Sequence, residues 1–218
     1  MIRLHHVPLA RSFRVLWLME ELGLDYEVAY YSIRDGAMRA PDFRALSPAG
    51  RVPVLEHEGA VWFESGAIVQ MLCETYPEAG LMPAPGSEGR ARWLEMLHYA
   101  ETVGCLLENL NMNLVLLRPP ARPSVPVVKL LNGRLRASLA AMEARMSGDY
   151  LLPSGFSAAD IMFAYGFELA RYYVDLDAYP CLVAYWERLR ARPAYIRAKA
   201  RDGVQDIYAR DFYPVPEE

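Results

Sequence analysis

The sequence predicts an α/β domain over residues 1–80, a linker over 81–89 and an all-α domain over 90–218. In the first 80 residues, short β-branched and aromatic runs alternate with stretches of helical spacing. The linker, LMPAPGSEG, contains two prolines, two glycines and a serine. Strand signals then disappear, and only amphipathic helical stretches follow.

The order of elements in the first domain predicts a small mixed sheet with helices. Strands over residues 2–6 and 26–32 flank a helix over 12–22 that ends at Gly23. Such a crossover joins parallel strands. The remaining elements are a helical turn, two short strands and a helix, over residues 40–46, 52–56, 60–63 and 65–76.

The second domain contains helix signals only. Ser157 is followed three residues later by Asp160, which is the pattern of a capping box, so we expect a helix to begin there. The predicted helices cover residues 90–117, 125–146, 156–173, 182–191 and 193–200.

Composition argues against several classes of function. The chain of 218 residues has 23 Lys and Arg against 27 Asp and Glu, a net charge of −4, with both signs interspersed. This balance argues against nucleic acid or an anionic membrane as the main partner. No charge-free apolar run approaches 18 residues, so we expect no membrane span.

The cysteines and histidines favour neither a metal site nor dithiol chemistry. Cys73, Cys105 and Cys181 are far apart and form no CxxC pair. An odd cysteine count without a secretory leader predicts a reducing cytosol. His5 and His6 are neighbours in a predicted strand, so their side chains point to opposite faces.

The first place that could carry chemistry is the turn from Val7 to Arg14, which leads into a helix. A helix N-terminus presents unpaired N–H groups and positive potential, which suit an anion such as a thiolate. Ser12 lies near this N-terminus. The alternative is that Ser12 simply caps the helix.

The second place is the segment from Arg51 to Val54, which contains Val52 and Pro53. If the Val52–Pro53 bond is cis, the N–H and C=O of Val52 point outward and can pair with an extended peptide ligand. The alternative is an ordinary trans proline at the start of a strand.

The third place is Glu64-Ser65, between a short strand and a helix. Ser65 and the helix N–H groups can hold a carboxylate, and Glu64 can hold an ammonium group, so together they can bind an α-amino acid head group. The alternative is again a helix cap.

Because these signals occur together and in order, the sequence resembles the glutathione transferase family over nearly its whole length. The resemblance lies in RSFRVLWLMEELGLDYEV, LSPAGRVPVLEHEG, FESGAIVQ, FSAADI and WERLRARPAY, and it is strongest to the bacterial and fungal serine-type branch. It implies a thioredoxin-like N-terminal domain, an all-helical C-terminal domain, a cytosolic homodimer and glutathione as cosubstrate, with no metal.

The resemblance also implies residue roles. The cysteine of glutathione would lie against the backbone of Val52, before a cis Pro53. The γ-glutamyl head group would bind Glu64 and Ser65, and Arg51 would lie near the glycyl carboxylate.

One position departs from the family pattern. Ala10 stands where the serine-type members carry the hydroxyl that stabilises the thiolate, four residues before Arg14, and Ser12 offers the nearest hydroxyl. Lowering a thiol pKa from about 8.5 by two units takes roughly 2.7 kcal/mol. A helix N-terminus supplies about 0.3–1 kcal/mol and a hydrogen bond to a charged group about 1.5–3. We therefore expect glutathione binding and weaker conjugation.

The function implied is thiolate attack on an electrophilic, partly apolar small molecule. Its pocket is expected on the second domain, lined by Tyr99, Asn109, Asn113 and Tyr208. Two alternatives stay open: a non-catalytic member that binds glutathione or another protein, and a glutathione-dependent disulfide or peroxide reductase.

Overall fold

The computed structural model of the chain describes residues 1–217 and divides into two compact units. The first, called the N-terminal unit, comprises Met1–Ala84 and Arg190–Ile207. The second, called the helical unit, comprises Pro85–Leu189 and the chain from Tyr208 on. An α/β unit and an all-helical unit are the fold that the sequence predicts.

The N-terminal unit contains a four-stranded mixed sheet in the order β2-β1-β3-β4. β1 and β2 are parallel, whereas β3 is antiparallel to both β1 and β4. The strands are β1 (Arg3–His6), β2 (Glu27–Tyr30), β3 (Val54–His57) and β4 (Ala60–Phe63). The helices that follow them in this part of the chain are α1 (Ser12–Glu21), α2 (Pro41–Leu46) and α3 (Ser65–Thr75).

The helical unit is built around one fully buried helix. Its helices are α4 (Glu88–Asn111), α5 (Val125–Arg145), α6 (Ala158–Ala170) and α7 (Pro180–Arg190). Every residue of α6 is buried, and its N-terminus has the predicted capping box of Ser157 and Asp160. Gly166 lets α6 approach α4, since a Cβ there would lie 3.1 Å from Cγ1 of Val103. The predicted 90–117 helix changes at Met112–Leu116 into a π-helical turn.

The last helix, α8 (Pro193–Asp202), does not follow the predicted boundary. The sequence places residues 193–200 in the helical domain, but α8 packs against α1 in the N-terminal unit. The rings of Trp17 and Tyr195 meet edge to face at 4.9 Å. Arg192 donates to both carboxylate oxygens of Glu21, at 2.7 and 2.8 Å. An aromatic contact and a bidentate ion pair therefore fix α8 on α1.

Within residues 1–217, no helix is long and apolar enough to cross a membrane.

Gly50 is the glycine on which the loop before β3 depends. Its φ is +62°, and an added Cβ would lie 2.8 Å from the carbonyl oxygen of Met38. Gly50→Ala should lower the free energy of unfolding by more than about 1 kcal/mol, because alanine is strained at positive φ and meets backbone. Gly133→Ala in α5 is the control: its Cβ has open space, so it should stabilise by about 0.5–1 kcal/mol. Urea denaturation measures both free energies of unfolding. A Gly50→Ala variant as stable as the wild type would contradict the expectation.

Candidate functional site

Three loop segments meet at one end of the sheet. His5 near the end of β1 pairs with Val54 at the start of β3, and Val54 pairs with Phe63 at the end of β4. The chain after β1, the chain before β3 and the chain after β4 therefore lie at the same sheet end. These segments carry the turn at Ala10, the pair Val52-Pro53 and the pair Glu64-Ser65, and we call them the candidate site.

The Val52–Pro53 bond is cis, as the sequence analysis predicts. Ser47 holds the preceding residue: its Oγ accepts from the N–H of Arg51 at 3.0 Å and donates to the C=O of Arg51 at 2.8 Å. Among residues 1–217, no hydrogen bond is made to the backbone N–H or C=O of half-buried Val52. Both groups can therefore pair with an extended ligand. The side chain of Arg51 is exposed.

Glu64 and Ser65 form the entry to α3 without acting as a side-chain cap. Glu64 is the N-cap residue, its side chain makes no capping hydrogen bond, and its φ of 73° lies in the left-handed region. Strained backbone of this kind clusters at functional sites. Ser65 is buried, and its Oγ accepts from Nη1 of Arg14 at 3.1 Å. The exposed Glu64 carboxylate and the α3 N-terminus thus lie side by side.

The turn between β1 and α1 uses Ser12 internally. Ser12 Oγ accepts from the N–H of Val7 at 3.2 Å and donates to the C=O of Val7 at 3.3 Å. Ser12 is fully buried, and the N-cap residue of α1, Arg11, makes no side-chain cap. The hydroxyl therefore closes the turn from inside. Ala10 is half-buried in the same turn.

Asp202 of α8 supports this turn, and no sequence motif predicts it. Its carboxylate accepts from His6 Nε2 at 3.1 Å, from the N–H of Leu9 at 3.0 Å and from Nζ of Lys199 at 2.9 Å. Burial alone would raise the pKa of Asp202, but these donors outweigh burial and hold the pKa below its ordinary value. Leu9 itself has a φ of 62°. A buried carboxylate thus holds a strained residue next to Ala10.

The four residues expected to line an electrophile pocket all lie in the helical unit, and Tyr99 lies about 15 Å along α4 from Asn109. The hydroxyl of Tyr99 donates to the C=O of Ser138 at 2.9 Å. The Nδ2 groups of Asn109 and Asn113 donate to backbone carbonyls one turn back, at 2.8 and 2.9 Å. Tyr208 is buried and stacked on Tyr172, with ring centroids 3.7 Å apart.

Neither cysteines nor metal ligands gather at the candidate site. Across the described residues, no group of three or more His, Cys, Asp or Glu side chains could hold a metal ion. Cys73 is buried in α3, whereas Cys105 and Cys181 are exposed in the helical unit.

Comparison with known proteins identifies the family. Residues 10–75 match the "Glutathione S-transferase, N-terminal domain", and residues 110–193 match the "Glutathione S-transferase, C-terminal domain". The chain belongs to the glutathione S-transferase family. Glutathione S-transferase 3 of Zea mays is 31% identical to it over 212 residues, covering 91% of this chain and 93% of the relative.

Solved glutathione transferases share the fold. The enzyme of Methylococcus capsulatus superposes with a TM-score of 0.83 at 30% identity, covering 93% of this chain and 99% of that one. A sphingomonad glutathione S-transferase, solved in complex with glutathione, gives a TM-score of 0.76 at 27% identity over 93% and 99% of the two chains.

Asp202→Asn tests the support of the turn. At pH 7 the variant should lose at least about 3 kcal/mol of unfolding free energy, because buried donors lose an ionised partner. Since the folded pKa of Asp202 is depressed, its contribution is present above the unfolded pKa of about 3.9 and is lost as pH falls through the lower folded value.

The difference between wild type and Asp202→Asn should therefore shrink from pH 7 to pH 3 in urea denaturation. Asp25→Asn, at an exposed aspartate of the same unit, is the control and should stay within about 0.5 kcal/mol. An equal difference at both pH values would rule out a titrating Asp202.

Proposed function

We propose that the chain is a glutathione transferase that binds glutathione at the candidate site and promotes attack of its thiolate on an electrophilic, partly apolar small molecule. The observation that carries this proposal is that two groups able to bind glutathione lie at the same end of the sheet. The peptide groups of Val52, which pair with no residue in 1–217, lie at the same sheet end as Glu64-Ser65 at the N-terminus of α3.

Each part of glutathione has a matching group in this arrangement. The cysteinyl residue is an extended peptide unit, so it pairs with the N–H and C=O of Val52, before cis Pro53. The γ-glutamyl carboxylate binds Ser65 and the N–H groups at the start of α3, and its ammonium group pairs with Glu64. The exposed guanidinium of Arg51 attracts the glycyl carboxylate.

The thiol would lie by Ala10, at the N-terminus of α1. Because Ser12 directs its hydroxyl to Val7, it offers no hydrogen bond to sulfur in this arrangement. The helix dipole alone gives about 0.3–1 kcal/mol, against roughly 2.7 needed for a pKa near 6.5. The proposed enzyme therefore binds glutathione with a smaller thiolate fraction than a member with a hydroxyl at position 10.

For the electrophile we propose the C-terminal end of α4, with Asn109, Asn113 and Tyr208. The adjoining π-helical turn exposes the apolar side chains of Met112 and Leu116, which suit a partly apolar substrate. We assign Tyr99 to packing, since its hydroxyl is bonded to the C=O of Ser138.

A second candidate function is glutathione binding without conjugation. The inward hydroxyl of Ser12 and the absence of one on Ala10 favour it. Reaction rates with aryl halides, hydroperoxides and mixed disulfides, measured beside a calorimetric glutathione titration, distinguish the candidate functions. Conjugation of aryl halides supports the transferase, disulfide or peroxide turnover supports a reductase, and binding without turnover supports the second candidate.

Glu64→Ala should weaken glutathione binding by about 1–3 kcal/mol, because the ligand's ammonium group loses its charged partner. The matched control is Glu58→Ala. Glu58 is also exposed at positive φ, but it lies in the turn at the opposite end of β3 and β4. Isothermal calorimetry measures both, and an unchanged affinity for Glu64→Ala would remove this assignment.

Ser12→Ala and Ala10→Ser should act on different properties. Ser12→Ala should cost about 1–3 kcal/mol of stability, since the buried N–H of Val7 loses its acceptor, and should leave the bound thiol's pKa unchanged. Ala10→Ser should lower that pKa by about one to two units and raise conjugation. Thiolate absorbance of the glutathione complex against pH is the measurement. If Ala10→Ser leaves the titration unmoved, a hydroxyl at this turn does not control the thiol.

We also propose a cytosolic homodimer. The edge strand β4 exposes three consecutive apolar residues, Val61, Trp62 and Phe63, which a second copy would cover. Light scattering at micromolar concentration should give the dimer mass, and Trp62→Lys should raise the monomer fraction. Ile196→Lys, at an exposed apolar residue of α8, should not. A monomer mass for the wild type would contradict the dimer.

A further inference from the structure

Arg14 is a charged side chain buried inside the N-terminal unit. It lies on α1 within a run of buried residues from Ser12 to Met19, and none of its surface is exposed. Burying a guanidinium costs several kcal/mol unless the surrounding groups compensate. One of its contacts crosses to α3, where Nη1 donates to Ser65 Oγ at 3.1 Å. The charge thus lies directly behind the first residue of α3.

The direction of this hydrogen bond determines what Ser65 can do. An arginine has donors and no acceptor, so the hydroxyl oxygen of Ser65 must accept. No described residue accepts the hydroxyl hydrogen of Ser65, so that hydrogen is left to donate. A hydroxyl held as a donor, with a positive charge behind it, binds an anionic acceptor such as a carboxylate and disfavours a cationic group.

We infer that Arg14 is a positioning residue that fixes Ser65 as a hydrogen-bond donor and makes the site selective for ligands with a carboxylate at the γ-glutamyl end. This inference rests on the proposed glutathione binding. Arg14 does not touch the ligand; it acts through Ser65. Glu64, beside Ser65, supplies the opposite charge, so the pair distinguishes the two ends of an α-amino acid head group.

The test compares three ligands by calorimetry on the full chain. They are glutathione, 4-aminobutyryl-cysteinyl-glycine, which lacks the α-carboxylate, and glutaryl-cysteinyl-glycine, which keeps a carboxylate but lacks the ammonium group. The wild type should prefer glutathione over the first analogue by about 10- to 100-fold, the range expected for a charge-assisted hydrogen bond.

Arg14→Gln should reduce that preference to within about threefold, and Arg14→Lys should restore part of it. Ser65→Ala should reduce the preference equally, and adding Arg14→Gln to Ser65→Ala should change it no further. Affinity for glutaryl-cysteinyl-glycine should fall in the same variants. If Arg14→Gln does not fold, Ser65→Ala and Arg14→Lys still decide the question.

Arg192→Gln is the matched control. It removes another arginine that contacts α1, through Glu21, so it should destabilise the unit while leaving the ligand preference unchanged. If Arg14→Gln weakens the binding of all three ligands equally, the role of Arg14 is structural and the inference is overturned. If the wild type binds glutathione and both analogues alike, the inference fails while the proposed function stands. Binding of none of the three would defeat both.

Discussion

The buried carboxylate of Asp202 is the interaction on which the candidate site depends most. It accepts hydrogen bonds from the side chain of His6 at the end of β1 and from the backbone of Leu9 in the following turn. The turn can hold Leu9 at positive φ because this distant acceptor is available. For the same reason α8 belongs to the N-terminal unit, although some 190 residues separate it from β1 in the chain.

The two strained backbone residues at the candidate site have the same kind of support. Leu9 and Glu64 both have positive φ, and each lies beside a long-range contact, Leu9 at Asp202 and Glu64 next to the Arg14–Ser65 bond. A non-glycine residue at positive φ costs of order 1–3 kcal/mol, so the surroundings must fix it. Glu58 also has positive φ, but there the neighbour Gly59 and a tight hairpin explain it. The two strained residues with tertiary support are those beside the candidate site.

The sequence predicts the elements well because their signals are local. Spacing of apolar residues sets α1, and the capping box sets the start of α6, within a residue or two. The local sequence shows that a helix has an apolar face, but not which element that face packs against. The sequence analysis therefore assigns α8 to the wrong unit. The same limit hides the roles of Asp202 and Arg14, since both act through residues far away in the sequence. An arginine within the apolar run of α1 is the one available signal, and by itself it does not name Ser65.

The turn at Ala10 shows why a family resemblance does not by itself predict the chemistry of a site. In the proposed function, glutathione binding would draw on backbone groups of Val52 and of the α3 N-terminus, which tolerate many side chains. Stabilising the thiolate, by contrast, requires one hydroxyl that points toward the sulfur. Ser12, two residues after Ala10, is the first residue of α1 and is fully buried. Its hydroxyl points to Val7. Under the proposed function, the pKa of the bound thiol, rather than affinity for glutathione, is the property on which conjugation would depend.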